Sequence, residues 1–193
     1  MPESSQLQDF DLLEGAARDF AESRGFGPLS TDSMQWTLIH HCCANSEHHR
    51  GMHEVLKSLL AVCPIEIVDQ KTGGGTPSGW SALSLLCNAR DAANTRIGMV
   101  RMMLERRADT EASNPQGSTP LIHACASGFW SVVRLLLDAK ADHNATKKGG
   151  RNALDVTPKD QTQVPLGSIG FVGRSHSHTL FLVNLSIMIY DYV

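Results

Sequence analysis

Residues 117–145 read GSTPLIHACASGFWSVVRLLLDAKADHNA. Thr119 stands where a side-chain oxygen can accept one of the amide N–H groups that a helix start leaves unpaired. Pro120, which has no N–H to lose, suits the first turn. A short helix of small residues follows and meets its stop at Gly128. A second helix then gathers Val132, Val133, Leu136 and Leu137 on one face, because these positions recur with helical period. The polar AKADHNA leaves that helix as a turn. A single helical hairpin of this size cannot bury its own apolar face, so further copies are expected along the chain.

Three other places accept the same frame. QWTLIHHCCANS aligns Thr37, Ile39, His40, Cys42 and Cys43; GWSALSLLCNAR aligns Ser81, Leu83, Ser84 and Cys87; GRNALDV aligns Gly150, Asn152, Ala153 and Leu154. The unit resembles the ankyrin repeat in Thr-Pro-Leu, the small-residue pair, the helix-breaking glycine, Val-Val-x-Leu-Leu-Leu and Ala-Asp-x-Asn-Ala. It departs at Ile122, where that family usually has histidine, and His123 is the residue after it. The resemblance implies an all-α ankyrin-repeat solenoid of antiparallel helix pairs joined by turns, with about three full repeats and a partial fourth.

The spacings test the frame. Leu121 to Leu154 is 33 residues, the period of the family, whereas Leu83 to Leu121 is 38 and Ile39 to Leu83 is 44. Cys43 to Leu60 and Cys87 to Leu104 are each 17, against 12 from Cys125 to Leu137, so the first two repeats each carry five extra residues between their helices. The first repeat also has six more in its outgoing turn, which contains GGGTPSG, a loop composition. The excess is then fully placed. The repeats fall at about 34–77, 78–115, 116–148 and a partial 149–159. Residues 1–33 precede them as a capping helix and linker, and 160–193 follow as a tail outside the repeat pattern.

HHCCANSEHHRGMH, residues 40–53, invites a metal reading. Repeat packing explains most of it. Cys43, Cys87 and Cys125 share one repeat position, where a free cysteine serves as a small buried hydrophobe. His40 holds the place of the family's turn-bonding histidine, and NSEHHRG lies in the inserted loop. Adjacent helical residues point about 100° apart, so His40–His41 or Cys42–Cys43 cannot both face one ion. The arrangement with merit is His49 and His53 with Cys42 or Cys43, although no zinc spacing motif accompanies it. No cofactor is expected. A structural zinc would contribute on the order of 10 kcal/mol, so a chelator would lower the melting temperature of metal-replete protein substantially if the site existed.

At the N-terminal end, Leu7, Phe10, Leu13, Ala17 and Phe20 recur at spacings of three and four, with Ser4 or Ser5 to cap and Gly25 to stop. This reads as one amphipathic helix covering the first repeat; a partner-binding helix is the sharper alternative. At the other end, TLFLVNLSIMIYDYV is fifteen residues, interrupted by Asn184 and Ser186. That is shorter than a bilayer span. A core strand, a packed tail and a membrane-touching tail all fit it. GSIGFVG lacks the glycine spacing of a phosphate loop.

Net charge is −3 with no basic run, which argues against nucleic acid. MPESSQLQDF is polar and acidic and does not read as a signal peptide, and the five cysteines are an odd number. Together these suggest a cytoplasmic, reducing location, no membrane partner, and a monomer. No nucleophile elbow or phosphate loop points to an enzyme.

Partners of the family usually meet the turn tips and the exposed edge of the first helices. Carried through the frame, the residue before the Thr position is Trp36, Trp80, Ser118 and Arg151 in successive repeats. Tryptophan and arginine dominate interface hot spots. Pro77, Ser78, Pro115, Gln116 and Lys148 lie on the turns, and Ala126 and Ser127 on the first-helix edge. The opposing expectation is that both tryptophans are packed away. Phe129 and Trp130 read as inter-repeat packing, Lys147–Lys148 as a solvated turn, and Asn144 as a position that asparaginyl hydroxylases modify in some ankyrin proteins. The expected function is a non-enzymatic protein–protein interaction module, a scaffold or adaptor. A metal-responsive binder, or the ankyrin segment of a larger enzyme or channel, is the alternative.

Overall fold

The computed structural model describes residues 9–46, 51–73, 78–88 and 94–157. The regular elements are all helical, with no strand among the described residues and one isolated bridge between Lys71 and Ser81. A 3₁₀ turn, Asp9–Leu12, leads into α1, Gly15–Arg24. Three helical hairpins follow: α2 (Leu38–Ala44) with α3 (Met52–Val62), α5 (Ala82–Cys87) with α6 (Asn94–Glu105), and α7 (Pro120–Ser127) with α8 (Trp130–Asp138). A one-turn helix, α4 (Ile65–Val68), follows α3.

The starts of the first helices repeat one device. Thr37, Ser81 and Thr119 each stand just before the helix with extended backbone. Each side chain accepts the amide three residues on, from His40, Ser84 and Ile122. Such a cap is worth about 1 kcal/mol. Pro120 takes the first turn of α7, and Gly128 ends that helix in the left-handed region at φ 69°. Phe129 then starts the return, so only Gly128 and Phe129 separate α7 from α8. Longer connections join the helices of the first two hairpins, as the spacing requires.

The hairpins stack in two layers. The first helices contact in the order α2, α5, α7, and the second helices in the order α3, α6, α8, with α1 laid against α3. The frame positions line up in this stack: Ile39, Leu83 and Leu121 are buried in successive repeats, and Leu154 is half-buried at its end. Cys43, Cys87 and Cys125 are all fully buried, as small hydrophobes should be. The outer layer buries Val55, Leu56, Leu59 and Leu60, then Met99, Val100 and Met103, then Val132, Val133, Leu136 and Leu137. Phe129 is buried and Trp130 packs against this core.

One expectation needs correction. The N-terminal segment is not one helix: Glu14 is extended and Gly15 has φ 53°, so the 3₁₀ turn and α1 are separate. Leu13, Ala17 and Phe20 are nevertheless buried and Gly25 is the left-handed C-cap, so the covering role of that apolar stripe is retained. Ser4, Ser5 and Leu7 lie outside the described residues. The six-residue excess that the frame places between Leu60 and Trp80 falls in two parts. Leu60 precedes Thr72 by two residues more than Leu104 precedes Asn114, and Thr72 precedes Trp80 by four more than Asn114 precedes Ser118. The first part accommodates α4; the second lengthens the tip of the turn. The tail from residue 158 lies outside the described residues.

Gly117 shows how closely the turns approach. Its φ is +78°, and a Cβ there would stand 3.2 Å from Lys147 Cα and 3.3 Å from the Lys148 amide nitrogen. Gly149 has φ +93° but open space around it. Gly117→Ala is therefore expected to cost more than Gly149→Ala, for which backbone strain alone accounts for about 1 kcal/mol. Urea unfolding of the two variants measures the difference.

Candidate protein interface

Each repeat begins with a narrow turn, and all four turns close by the same backbone bond. The amide of Asp32, Thr72, Asn114 or Lys147 donates to the carbonyl of Trp36, Trp80, Ser118 or Arg151, at 2.9–3.1 Å. A residue with positive φ sits just before each second member: Gln35, Gly79, Gly117 and Gly150. In the first three turns a short side chain adds a return bond. Asp32 Oδ1, Thr72 Oγ1 and Asn114 Oδ1 accept the amides of Trp36, Trp80 and Ser118.

The turns are tied to one another across repeats. His40 Nδ1 accepts the Thr37 amide at 3.2 Å, which leaves Nε2–H to donate to the Trp80 carbonyl of the next turn, also at 3.2 Å. Ser84 takes the same position one repeat on, and its hydroxyl donates to the Ala112 carbonyl. Ile122 holds that position in the third repeat and has no polar atom for the link. Further out, Asp69 accepts the Asp109 amide and Glu111 accepts the Asp142 amide, both at short range. Lys148 N–H donates to the Gln116 carbonyl. The turns therefore form a hydrogen-bonded row, linked mostly by side chains to backbone groups of the next repeat.

On the inner side of this row the indoles meet histidines. The Trp36 ring lies 6.0 Å from His40 and 5.2 Å from His41, and the Trp80 ring lies 4.1 Å from His123, centroid to centroid. Both tryptophans are half-buried, and Trp36 Nε1 is buried without a hydrogen-bond partner among the described residues. His41 Nε2 is 2.9 Å from Asp32 Oδ2. Burial would raise the Asp32 carboxyl, but the Trp36 amide, the His41 ring and the Met34 amide outweigh it and hold it below the usual range. Burial pushes His40 down to about 4 despite its bond to the Trp80 carbonyl. Burial and the nearby Lys147 charge push His123 down to about 4 as well.

The partner-facing residues expected from the sequence divide as follows. Ser78, Pro115, Gln116, Ala126, Lys148 and Arg151 are exposed, and Ser127, Trp36 and Trp80 are half-buried. Pro77 lies outside the described residues. Ser118 is a correction: it is 6% exposed because Asn114 folds over the turn to take its amide. The tryptophans neither touch one another nor stand free; each is supported by a histidine. His41 and His123 occupy one repeat position, two residues beyond the Thr position's leucine or isoleucine, a regularity present in the frame but hidden by the metal reading of the first.

The candidate metal residues do not converge. Cys42 and Cys43 are buried in the core, where desolvation raises both thiols, Cys42 to about 12, and Cys42 Sγ–H points at the Met52 carbonyl. His53 instead lines a shallow cleft between α3 and α6 with Lys57, Met102 and Arg106. His49 lies outside the described residues. Among the described residues no three His, Cys, Asp or Glu side chains are grouped to hold an ion.

The stacked hairpins, the shared caps and the linked turns agree with the comparison to known families: residues 39–147 match the model for ankyrin repeats in three copies. The chain belongs to the ankyrin-repeat family. Such repeats make it a protein–protein interaction module, and they imply protein partners. Among its relatives, the B-cell lymphoma 3 protein homolog of Mus musculus is 29% identical over 175 residues, 86% of this chain and 36% of that protein. The ankyrin repeat and KH domain-containing protein mask of Drosophila melanogaster is 30% identical over 69% of this chain and 4% of its own length. The probable E3 ubiquitin-protein ligase XBOS33 of Oryza sativa subsp. japonica is 37% identical over 36% of this chain and 14% of its own. The chain thus spans about a third or less of these relatives. No helix among the described residues is long and apolar enough to cross a membrane.

Two buried histidines set an acid dependence. The unfolded chain takes up protons near the ordinary value of 6.5, the folded one only near 4. Between those values the unfolded state binds more protons, so stability is intact above pH 6.5 and falls as pH drops towards 4. The slope expected is about 1.4 kcal/mol per pH unit for each histidine. Urea titrations from pH 7 to 4.5 measure it, and a His40→Asn variant should show a shallower fall.

Proposed function

We propose that this protein acts as a non-enzymatic scaffold or adaptor. Residues 34–159 would form its binding unit, with the turn row and first-helix edge as the recognition surface. The observation that carries the reading is the pair of half-buried tryptophans, Trp36 against His41 and Trp80 against His123, on turns hydrogen-bonded from repeat to repeat. A ring fixed by stacking loses little conformational freedom on binding, which is what makes tryptophan an effective anchor. Ser78, Pro115, Gln116, Lys148 and Arg151 extend the surface along the tips, and Ala126 and Ser127 along the helix edge. The buried, free thiols suit a reducing compartment such as the cytoplasm.

Binders selected from a random displayed peptide library provide the test. Trp80→Ala should weaken them by about 2 kcal/mol or more, roughly thirtyfold, while the melting temperature stays nearly constant. An equal loss of stability, or unchanged binding, would assign the indole to packing.

A further inference from the structure

The fourth turn breaks the rule that closes the other three. Where Asp32, Thr72 and Asn114 each accept the amide of the residue across the turn, the equivalent residue is Lys147, whose ammonium has no acceptor to offer. The backbone bond from Lys147 N–H to the Arg151 carbonyl remains, at 2.9 Å, so the turn has its shape but not its side-chain clasp. Lys148 and Arg151 are exposed beside it, on a tip whose two glycines have positive φ. Three cations therefore share five residues, and none makes an ion pair with another described side chain. The acidic groups nearby are engaged elsewhere: Asp155 Oδ2 accepts the Asn152 amide and Asp142 Oδ1 the Asn144 amide. Like charges held together repel, and a turn built only for stability would keep the clasp.

This tip is held rigidly against its neighbour. Lys148 N–H donates to the Gln116 carbonyl at 2.8 Å, and a Cβ at Gly117 would stand only 3.2 Å from Lys147 Cα. It is also continuous with the aromatic surface, since Asn114 of the turn it docks on places Nδ2 3.4 Å from His123 Nε2, and the His123 ring lies 4.1 Å from that of Trp80. Resting on the recognition surface proposed above, we infer that Lys147, Lys148 and Arg151, with Trp80, bind an acidic protein segment. Its carboxylates pair with the three cations, and an apolar side chain beside them seats on the indole. Charge complementarity selects this partner, because a neutral peptide offers the three cations no carboxylate.

The test uses the full chain and two fluorescein-labelled peptides, each with a leucine–phenylalanine anchor, one followed by glutamates and the other by glutamines. Polarisation should show the glutamate peptide binding more tightly, with an affinity that falls as salt is raised. Lys147→Asn restores the clasp found in the third repeat. It should raise the melting temperature by a few degrees, about 2–5 °C, while weakening the glutamate peptide about fivefold. Lys147→Asn combined with Lys148→Gln and Arg151→Gln should weaken it at least tenfold. Equal binding of the two peptides, or unchanged affinity in the triple variant, overturns the inference. So does stronger competition by a single-stranded oligonucleotide than by unlabelled glutamate peptide. Neutral selected peptides whose binding is lost in Trp80→Ala but kept in the triple variant would sink the acidic partner and leave the recognition surface standing. Loss in neither variant would sink both.

Discussion

A two-helix hairpin of about thirty residues exposes one apolar face that only another hairpin can cover, and this constraint organises the rest of the molecule. The first helices meet through their smallest faces, with Cys43, Cys87 and Cys125 at equivalent points, so their axes can approach closely. That approach brings successive turns within hydrogen-bonding distance. His40 to the Trp80 carbonyl and Ser84 to the Ala112 carbonyl then follow as consequences of the stack. Burying the side chains of the outer layer contributes about 1.5–3 kcal/mol each, most of it offset by chain entropy. A polar link between turns therefore matters less as a source of stability than as a fixer of register.

The same geometry explains why the surface is a row and not a pocket. Each repeat offers one tip and one exposed helix edge, and stacking sets them side by side. The tips carry Trp36 and Trp80, half-buried against histidines, and the exposed Arg151. Ser118, at the same position, is buried because its amide is enclosed by Asn114. Lys147 marks the opposite case, where the enclosing side chain has been given up and a charge stands in its place.

Where sequence reasoning went astray, a non-local or backbone feature was responsible. The apolar stripe from Phe10 to Phe20 has helical spacing, yet Glu14 and Gly15 leave the helical region between the 3₁₀ turn and α1. Periodicity identifies the buried face but does not require the backbone to be continuous. The extra residues after α3 were countable from the frame, but their division between α4 and the tip depends on where Thr72 pairs with Trp80. The histidines and cysteines from His40 to Cys43 are the contrary case, because helical directions and the repeat frame already assigned most of them to packing. In the fold the cysteines face the core, His40 faces the next turn, and His41 faces Trp36.

Repeat phase, helix caps and the identity of the core are set by local chemistry: a threonine or serine before a helix, a glycine after it, and apolar residues every three or four positions act within a few residues of chain. Residues 37–44, 81–87 and 119–128 therefore disclose their structure without their neighbours. The accessible surface is different, because it depends on what the adjacent repeat brings. Trp80 packs against a histidine forty-three residues further along, Ser118 is enclosed by its own turn, and Lys148 meets the Gln116 carbonyl only after the fourth turn has docked on the third. Those contacts arise from packing between repeats, and only the assembled stack decides them.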